Sequence, residues 1–524
     1  MLSRLKSSVL AVMVGFAALT GGAMAAELKI GRSNEPQSID PLFSRTGPNQ
    51  MTAMHIFDRL LMTSPSARSY PGLAESWMTL DKNTWQVVLR RGVKFHDGTP
   101  LTAEDVVFSM DRASKVPNSP ATFGGSTAGI AKMEILDNLT IKFTTKEPDP
   151  NFMDNIGTIY IVSKKHTQGA ASSDFNSGKA AIGTGPYKYV GWAPGDKLEL
   201  VRNDEYWGPK PAYEKVTMRF ITNDAARVAA LLSGSVDMID LVPPADLPKL
   251  KKDPNISVSE TASVRLIYLA LNQDDKTKYL TDAAGKPLAK NPFQDVRVRN
   301  ALSLMIDRKI LVDRILLGQG EPALQLVPEG VFGHNPTIKV RHDVAEAKKL
   351  LADAGYPNGF GITIHGSSDR FLLDGEVTQA LGQFLARGGL KVNKVETLPY
   401  AVFSQDAGKG AYDAFVFSFG NSTNEAGRGL LGLFHTNDRA TNAGSLNRFR
   451  YSNPPLDKEI QAAIAEFDEG KREKMLGEVA AKATQEMAIV PLYWQSVAWA
   501  TRKGVSYTAR RDERTLAMDA KPGN

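Results

Sequence analysis

The chain has 524 residues, 63 lysines and arginines against 57 acids for a net charge of +6, and no cysteine. That length exceeds what one hydrophobic core organises, so two or three domains are expected, and the missing cysteine excludes disulfides, thiolate metal sites and cysteine nucleophiles. The positive excess is small and scattered among acids, as at Lys249 to Lys252 and Arg510-Arg511, which argues against a nucleic-acid surface.

The first residues read as an export signal. Arg4 and Lys6 precede an apolar run from Val9 to Thr20, and Ala23-Met24-Ala25 offers small residues for cleavage. Gly21-Gly22 ends the run well short of the roughly 20 apolar residues that span a bilayer. Residues 1–25 are therefore expected to be removed, leaving a mature chain from Ala26. With no cysteine to carry lipid, that chain is expected free in the periplasm.

Leu28 to Gly31 reads as a short strand that stops before Pro36. A strand from Trp85 to Arg90 leads to the turn His96-Asp97-Gly98-Thr99-Pro100, and Thr102 with Asp105 forms a capping box for the next helix. Lys132 to Thr145 is a hairpin turning at Asp137-Asn138. Asn223 or Asp224 caps a helix from Ala225 to Leu232, Gly234 ends it, and strands follow over Val236 to Leu241 and Val264 to Asn272. The apolar stripe Val298, Ala301, Leu302, Met305, Ile306, Ile310, Leu311 predicts one long helix from Val296 to Leu317. From Asp343 to Ser418 helices and strands alternate: 344–354, 361–365, 373–387, 390–397, 401–408 and 412–418. Such alternation builds a parallel sheet, whose ligands bind beyond the carboxyl ends of its strands.

Motifs for catalysis are missing. The seven histidines are scattered, with none at the i, i+4 spacing of a helical zinc site. Gly183-Thr184-Gly185 opens like a dinucleotide loop, but Lys188 stands where its third glycine belongs, so it reads as a tight turn. No phosphate loop or nucleophile elbow occurs, and no enzyme activity, cofactor or resident metal is expected.

One segment carries a resemblance: Pro71-Gly72-Leu73-Ala74-Glu75-Ser76-Trp77, then Leu89 through Val106 with Gly92-Val93-Lys94-Phe95-His96-Asp97-Gly98-Thr99-Pro100-Leu101-Thr102. It resembles the signature of the extracellular solute-binding proteins of family 5, the peptide, nickel and opine receptors of ABC importers. Further blocks follow in the same order. They are Glu35-Pro36 with Asp40-Pro41, Gly183 to Tyr187 with Asn203 to Trp207, and Ala226-Arg227 to Asp237. Pro292-Phe293 with Arg297 to Ala301, Ile306-Asp307-Arg308, Ala354 to Pro357 and Tyr451 to Pro454 complete the set.

The resemblance implies an α/β fold of two lobes around a ligand cleft, the type II periplasmic-binding-protein fold of the large cluster with an extra subdomain. Lobe one would hold residues 26–268, with the subdomain at about 55–185, lobe two 269–490, and 491–524 would return to lobe one. The implied partners are a peptide or peptide-like solute and inner-membrane permease subunits, with the receptor itself a monomer. Arg370 matches the position of a carboxylate-binding arginine in dipeptide receptors. The usual amine trap, Gly-Trp followed by Asp-Pro, is absent after Ser418, leaving Glu425 or Asn424 as substitutes. Tyr493, Trp494 and Trp499 are candidate cleft aromatics, and Asn34 and Glu35 candidate contacts from lobe one. A nickel-chelate, opine or glutathione-type receptor, or a secreted hydrolase reusing the fold, are the alternatives.

Overall fold

The computed structural model describes residues 27–523 apart from 283, 422–424, 439, 440 and 442. The expected signal over 1–25, and Asn424, lie outside the described residues.

Buried apolar side chains gather into two groups. One combines two clusters drawn from residues 28–250 and 497–520, and the other two clusters drawn from 264–494. The chain therefore forms two lobes, and it passes between them on two long antiparallel strands, Ile256–Leu271 and Ile489–Arg502. Each strand is shared: Ile256 to Ala262 pairs with Ser496 to Arg502, and Leu266 to Ala270 with Ile489 to Trp494. Between them the register shifts at Ala262/Leu266, so residues 263–265 form an irregularity that bends the pair.

In the first lobe, Glu27–Arg32 runs parallel to both Lys215–Phe220 and Met238–Ile239, and Lys197–Arg202 and Tyr187–Ala193 extend the sheet antiparallel. A separate four-stranded antiparallel sheet joins Ala74–Asp81, Thr84–Leu89, Thr140–Thr145 and Ile130–Asp137. The middle two strands bury every second residue, as a sheet with one wet face must. The helix Ala103–Arg112 begins where expected, with the Thr102 amide donating to Asp105 Oδ2 at 3.0 Å.

Several blocks of the resemblance prove to be structural. Asp58 is buried and accepts from Thr184 Oγ1 (3.0 Å), Tyr206 Oη (3.2 Å) and Trp207 Nε1 (2.7 Å), which ties two of those blocks together. Burial pushes its pKa up to about 6 against those three donors. The glycines of Gly183-Thr184-Gly185 permit a close approach: a Cβ on Gly183 would stand 2.0 Å from the Ile56 carbonyl oxygen. Asp40 likewise accepts from the Arg112 guanidinium at 2.5 and 2.8 Å.

The second lobe keeps the expected alternation. Gly361–Ser367 lies between Lys391–Leu398 and Ala414–Gly420, parallel to both, with helices Val344–Asp353, Asp374–Arg387 and Tyr400–Gly408 interleaved. One expectation fails. The single helix over 296–317 is Val296–Met305, a break at Ile306, and a new start at Arg308–Ile310 running into a wider turn over Leu311–Ile315. Asp307 caps the restart by accepting from the Ile310 amide at 2.9 Å. Fully buried Arg308 donates to the Ser303 carbonyl at 3.0 Å and the Pro491 carbonyl at 2.8 Å. It adds a second donor to the Ser303 oxygen, which the Ile306 amide reaches at 3.3 Å, and anchors a crossing strand. An apolar stripe runs through such a break unchanged, so periodicity alone could not show it.

Candidate functional site

The parallel strands Gly361–Ser367 and Ala414–Gly420 end in the loops that carry Arg370 and Glu425, where open α/β sheets place ligands. Arg370 is exposed, and its guanidinium lies 4.9 Å from the Tyr400 ring centroid. The two aspartates beside it serve the backbone instead: Asp374 accepts from the Arg370 amide (2.9 Å) and Ser367 Oγ, and Asp369 from the Tyr400 amide (2.7 Å). The fork of Arg370 thus has no hydrogen bond among the described residues. The same loop and the helix after it border a hollow of about 500 Å³, lined by Ser368, Asp374, Glu376 and Gln383 but not by Arg370.

Glu425 sits at the seam of the lobes. Its Oε1 accepts from Asn151 Nδ2 of the first lobe at 2.9 Å, and its Oε2 from Arg472 Nε of the second at 3.2 Å. Burial raises its pKa, and Arg472 opposes the rise. Both oxygens serve protein donors, one from each lobe, so Glu425 links the lobes.

The aromatic expectations need correction. Tyr493 and Trp499 are 0% and 1% exposed, the first in the second-lobe core and the second in the first-lobe core, where its Nε1 donates to Thr515 Oγ1 at 2.9 Å. Trp494 is also buried. The strand bearing them is central and covered on both faces, so its side chains pack instead of walling a cleft. Glu35 accepts from Trp192 Nε1 (3.0 Å) and the Gly195 amide (2.9 Å), which fastens the hairpin formed by Tyr187–Ala193 and Lys197–Arg202. Asn34 is exposed and donates to Ser33 Oγ.

Sequence reasoning missed the hinge contacts. Arg265, in the irregular segment, reaches across to Glu513 with Nη2–Oε2 at 2.6 Å. Burial alone would raise the Glu513 carboxyl, but Arg265, with Arg370 at longer range, holds it below the usual range. It also missed a group of arginines in the first lobe, Arg45, Arg59 and Arg514. The one available signal was Asp58-Arg59 inside the apolar run from Met51 to Leu61, since charges in such a setting are either paired or functional. Among the described residues no three His, Asp or Glu side chains are grouped to ligate a metal, and no helix is long and apolar enough to cross a membrane.

A family model, that of the bacterial extracellular solute-binding proteins, family 5 (middle region), matches residues 68–441. Among curated relatives, the heme-binding protein A of Haemophilus influenzae is 27% identical over 81% of this chain and 79% of its own length. A probable D,D-dipeptide-binding periplasmic protein of Escherichia coli is 28% identical over 91% of this chain and 90% of its own. Among solved structures, an ABC transporter-associated periplasmic binding protein from Helicobacter pylori, in complex with the peptide STSA, superposes with a TM-score of 0.75. It is 25% identical and covers 95% of this chain and 99% of its own.

Proposed function

The chain belongs to the bacterial extracellular solute-binding proteins of family 5, and from that premise we propose that it is the periplasmic receptor of an ABC importer. It captures a peptide or peptide-like solute between its lobes and hands it to permease subunits in the inner membrane. One observation carries the reading. Among the described residues two separately packed lobes are joined by two strands, whose pairing breaks at 263–265, and Arg370, in a loop beyond the parallel strands, stacks on Tyr400 but donates no hydrogen bond from its fork. A bend at so few residues lets one lobe close on the other around a ligand. On this reading the lobe boundary falls at that break, a few residues before 268, with the return at about 495. Residues 1–25 direct export, and the mature protein acts as a free monomer.

Mass spectrometry of solutes released from the purified, gently denatured protein tests this reading. A bound solute should be recovered, and adding it back should raise the melting temperature, by about 3 kcal/mol of stability at a hundredfold excess over Kd. No recovered solute, and no shift across a broad peptide and metabolite panel, would refute the receptor role.

A further inference from the structure

A cavity of about 40 Å³ in the first lobe is walled by Arg45, Gln50, Arg59, Phe123, Asp154 and Arg514. A water needs on the order of 10–15 Å³ of such space, so the cavity holds about three oxygen-sized atoms, the acid end of a solute but not a whole one. Three guanidinium groups meet there, against one carboxylate, and their donors are incompletely used. Arg59 is 4% exposed and lies 5.6 Å from the Tyr160 ring centroid. It donates from Nη2 to Thr63 Oγ1 at 3.0 Å, while its Nε is buried with no partner. The Tyr160 hydroxyl turns away, donating to the Gln50 carbonyl. Arg45 stacks 5.7 Å from the Phe123 centroid and makes no hydrogen bond or ion pair from its guanidinium among the described residues.

The nearby acids do not balance these charges. Asp512 touches Arg514 at only 3.5 Å because it is held by Arg510 at 2.7 Å, and Asp519 is held by Arg510 as well. Asp154 stands on the wall toward Glu425 and Arg472 of the second lobe. Burial lowers the pKa of both Arg45 and Arg59, and Arg514 adds to the effect on Arg59. Across the seam, burial and then Arg45 push Arg428 of the second lobe down to about 10. Arg59 is the buried cation of the three, while Arg45 and Arg514 are half-buried and Arg514 Nη2 donates to Gln50 Oε1 at 2.8 Å. A buried cation with an idle donor is costly, and a planar oxyanion accepting from it and its neighbours lowers that cost.

We infer that this cavity seats a carboxylate, or an oxyanion of similar size, carried by the captured solute, with Arg45, Arg59 and Arg514 gripping it. The inference rests on the receptor reading and assigns the solute's chemical class: an acid whose anionic end enters the first lobe. A free inorganic anion would use the same donors, so the test separates the two sources.

The purified mature protein is titrated with sodium acetate and with inorganic phosphate, at ionic strength held constant with chloride, and its melting temperature is read. Both anions should raise it saturably, at least tenfold less tightly in Arg59→Gln and in Arg45→Gln. Arg45→Gln removes no hydrogen bond made within the described residues and so guards against a folding defect in the buried Arg59 variant. In the second arm, the solute released by denaturation is returned to wild type and variants. It should carry an ionised acid group, compete with acetate, and bind Arg45→Gln at least tenfold more weakly. A solute that binds all three proteins alike and ignores acetate overturns the site and leaves the receptor reading standing. Anion binding that depends on these arginines, with no solute recovered, supports the oxyanion site while the receptor reading falls. Anion binding unchanged by both substitutions overturns the site.

Discussion

Stability should fall in mild acid in part through the buried His55. His55 lies in the helix Gly47–Ile56 with no solvent exposure; its Nδ1–H donates to the Met51 carbonyl at 2.7 Å and its Nε2 accepts from the Ala517 amide at 2.9 Å. The neutral ring thus pins the C-terminal segment to the first helix, and a proton on Nε2 would set a donor against a donor. Burial lowers its pKa to about 3 against the Met51 bond, and Arg32 lowers it further. The unfolded chain takes up that proton near the ordinary 6.5, so it binds more protons than the fold between the two values. Stability from this residue is complete above 6.5 and is lost as pH falls. Each pH unit in the window costs about 1.4 kcal/mol, giving about 2 kcal/mol by pH 5 and about 4 kcal/mol by pH 3. The assay is denaturant unfolding of wild type and His55→Gln at about pH 7.5 and about pH 5. Carboxylates shared by both proteins cancel in the comparison, so wild type should lose about 2 kcal/mol more than the variant. Equal losses, or a His55 ring that titrates near 6.5 by NMR in the folded protein, would refute the argument.

Gly183→Ala should cost about 2 kcal/mol or more, because its Cβ meets the Ile56 carbonyl oxygen at 2.0 Å. Gly191→Ala, whose Cβ meets nothing within 4 Å, is the control, and equal melting temperatures for the pair would contradict the close-approach reading. Arg370→Ala should weaken binding of a carboxylate-bearing solute at least tenfold by calorimetry, whereas unchanged affinity would remove Arg370 from the cleft. Glu425→Gln keeps an oxygen for Asn151 but withdraws the charge facing Arg472. Thermal stability should drop while solute affinity changes less than tenfold; a larger affinity loss would mark the carboxylate as a ligand contact.

The sequence by itself determined the fold class and most of its elements. Caps at Thr102 and Asn223, the stop at Gly234 and the alternation from Asp343 to Ser418 are local events, set by residues within a few positions of each other, and the structure keeps them. The recurring blocks were legible too, and their physical content is now clear. Asp58 with Thr184 and Trp207, Asp40 with Arg112, and Arg308 with Pro491 are buried polar anchors between distant segments, so they specify the architecture more than the ligand. Only the tertiary structure decided the site. Whether Trp499 walls a cleft or fills a core depends on its strand being covered on both faces, and Glu425 meets Asn151 from 274 positions away. Of the cavity arginines, Arg45 and Arg59 flank the helix Gly47–Ile56, but Arg514 joins them from the other end of the chain, and the three share no motif. Helices and strands follow from short-range periodicity, but a pocket is made by long-range packing, which brings together residues no local pattern connects.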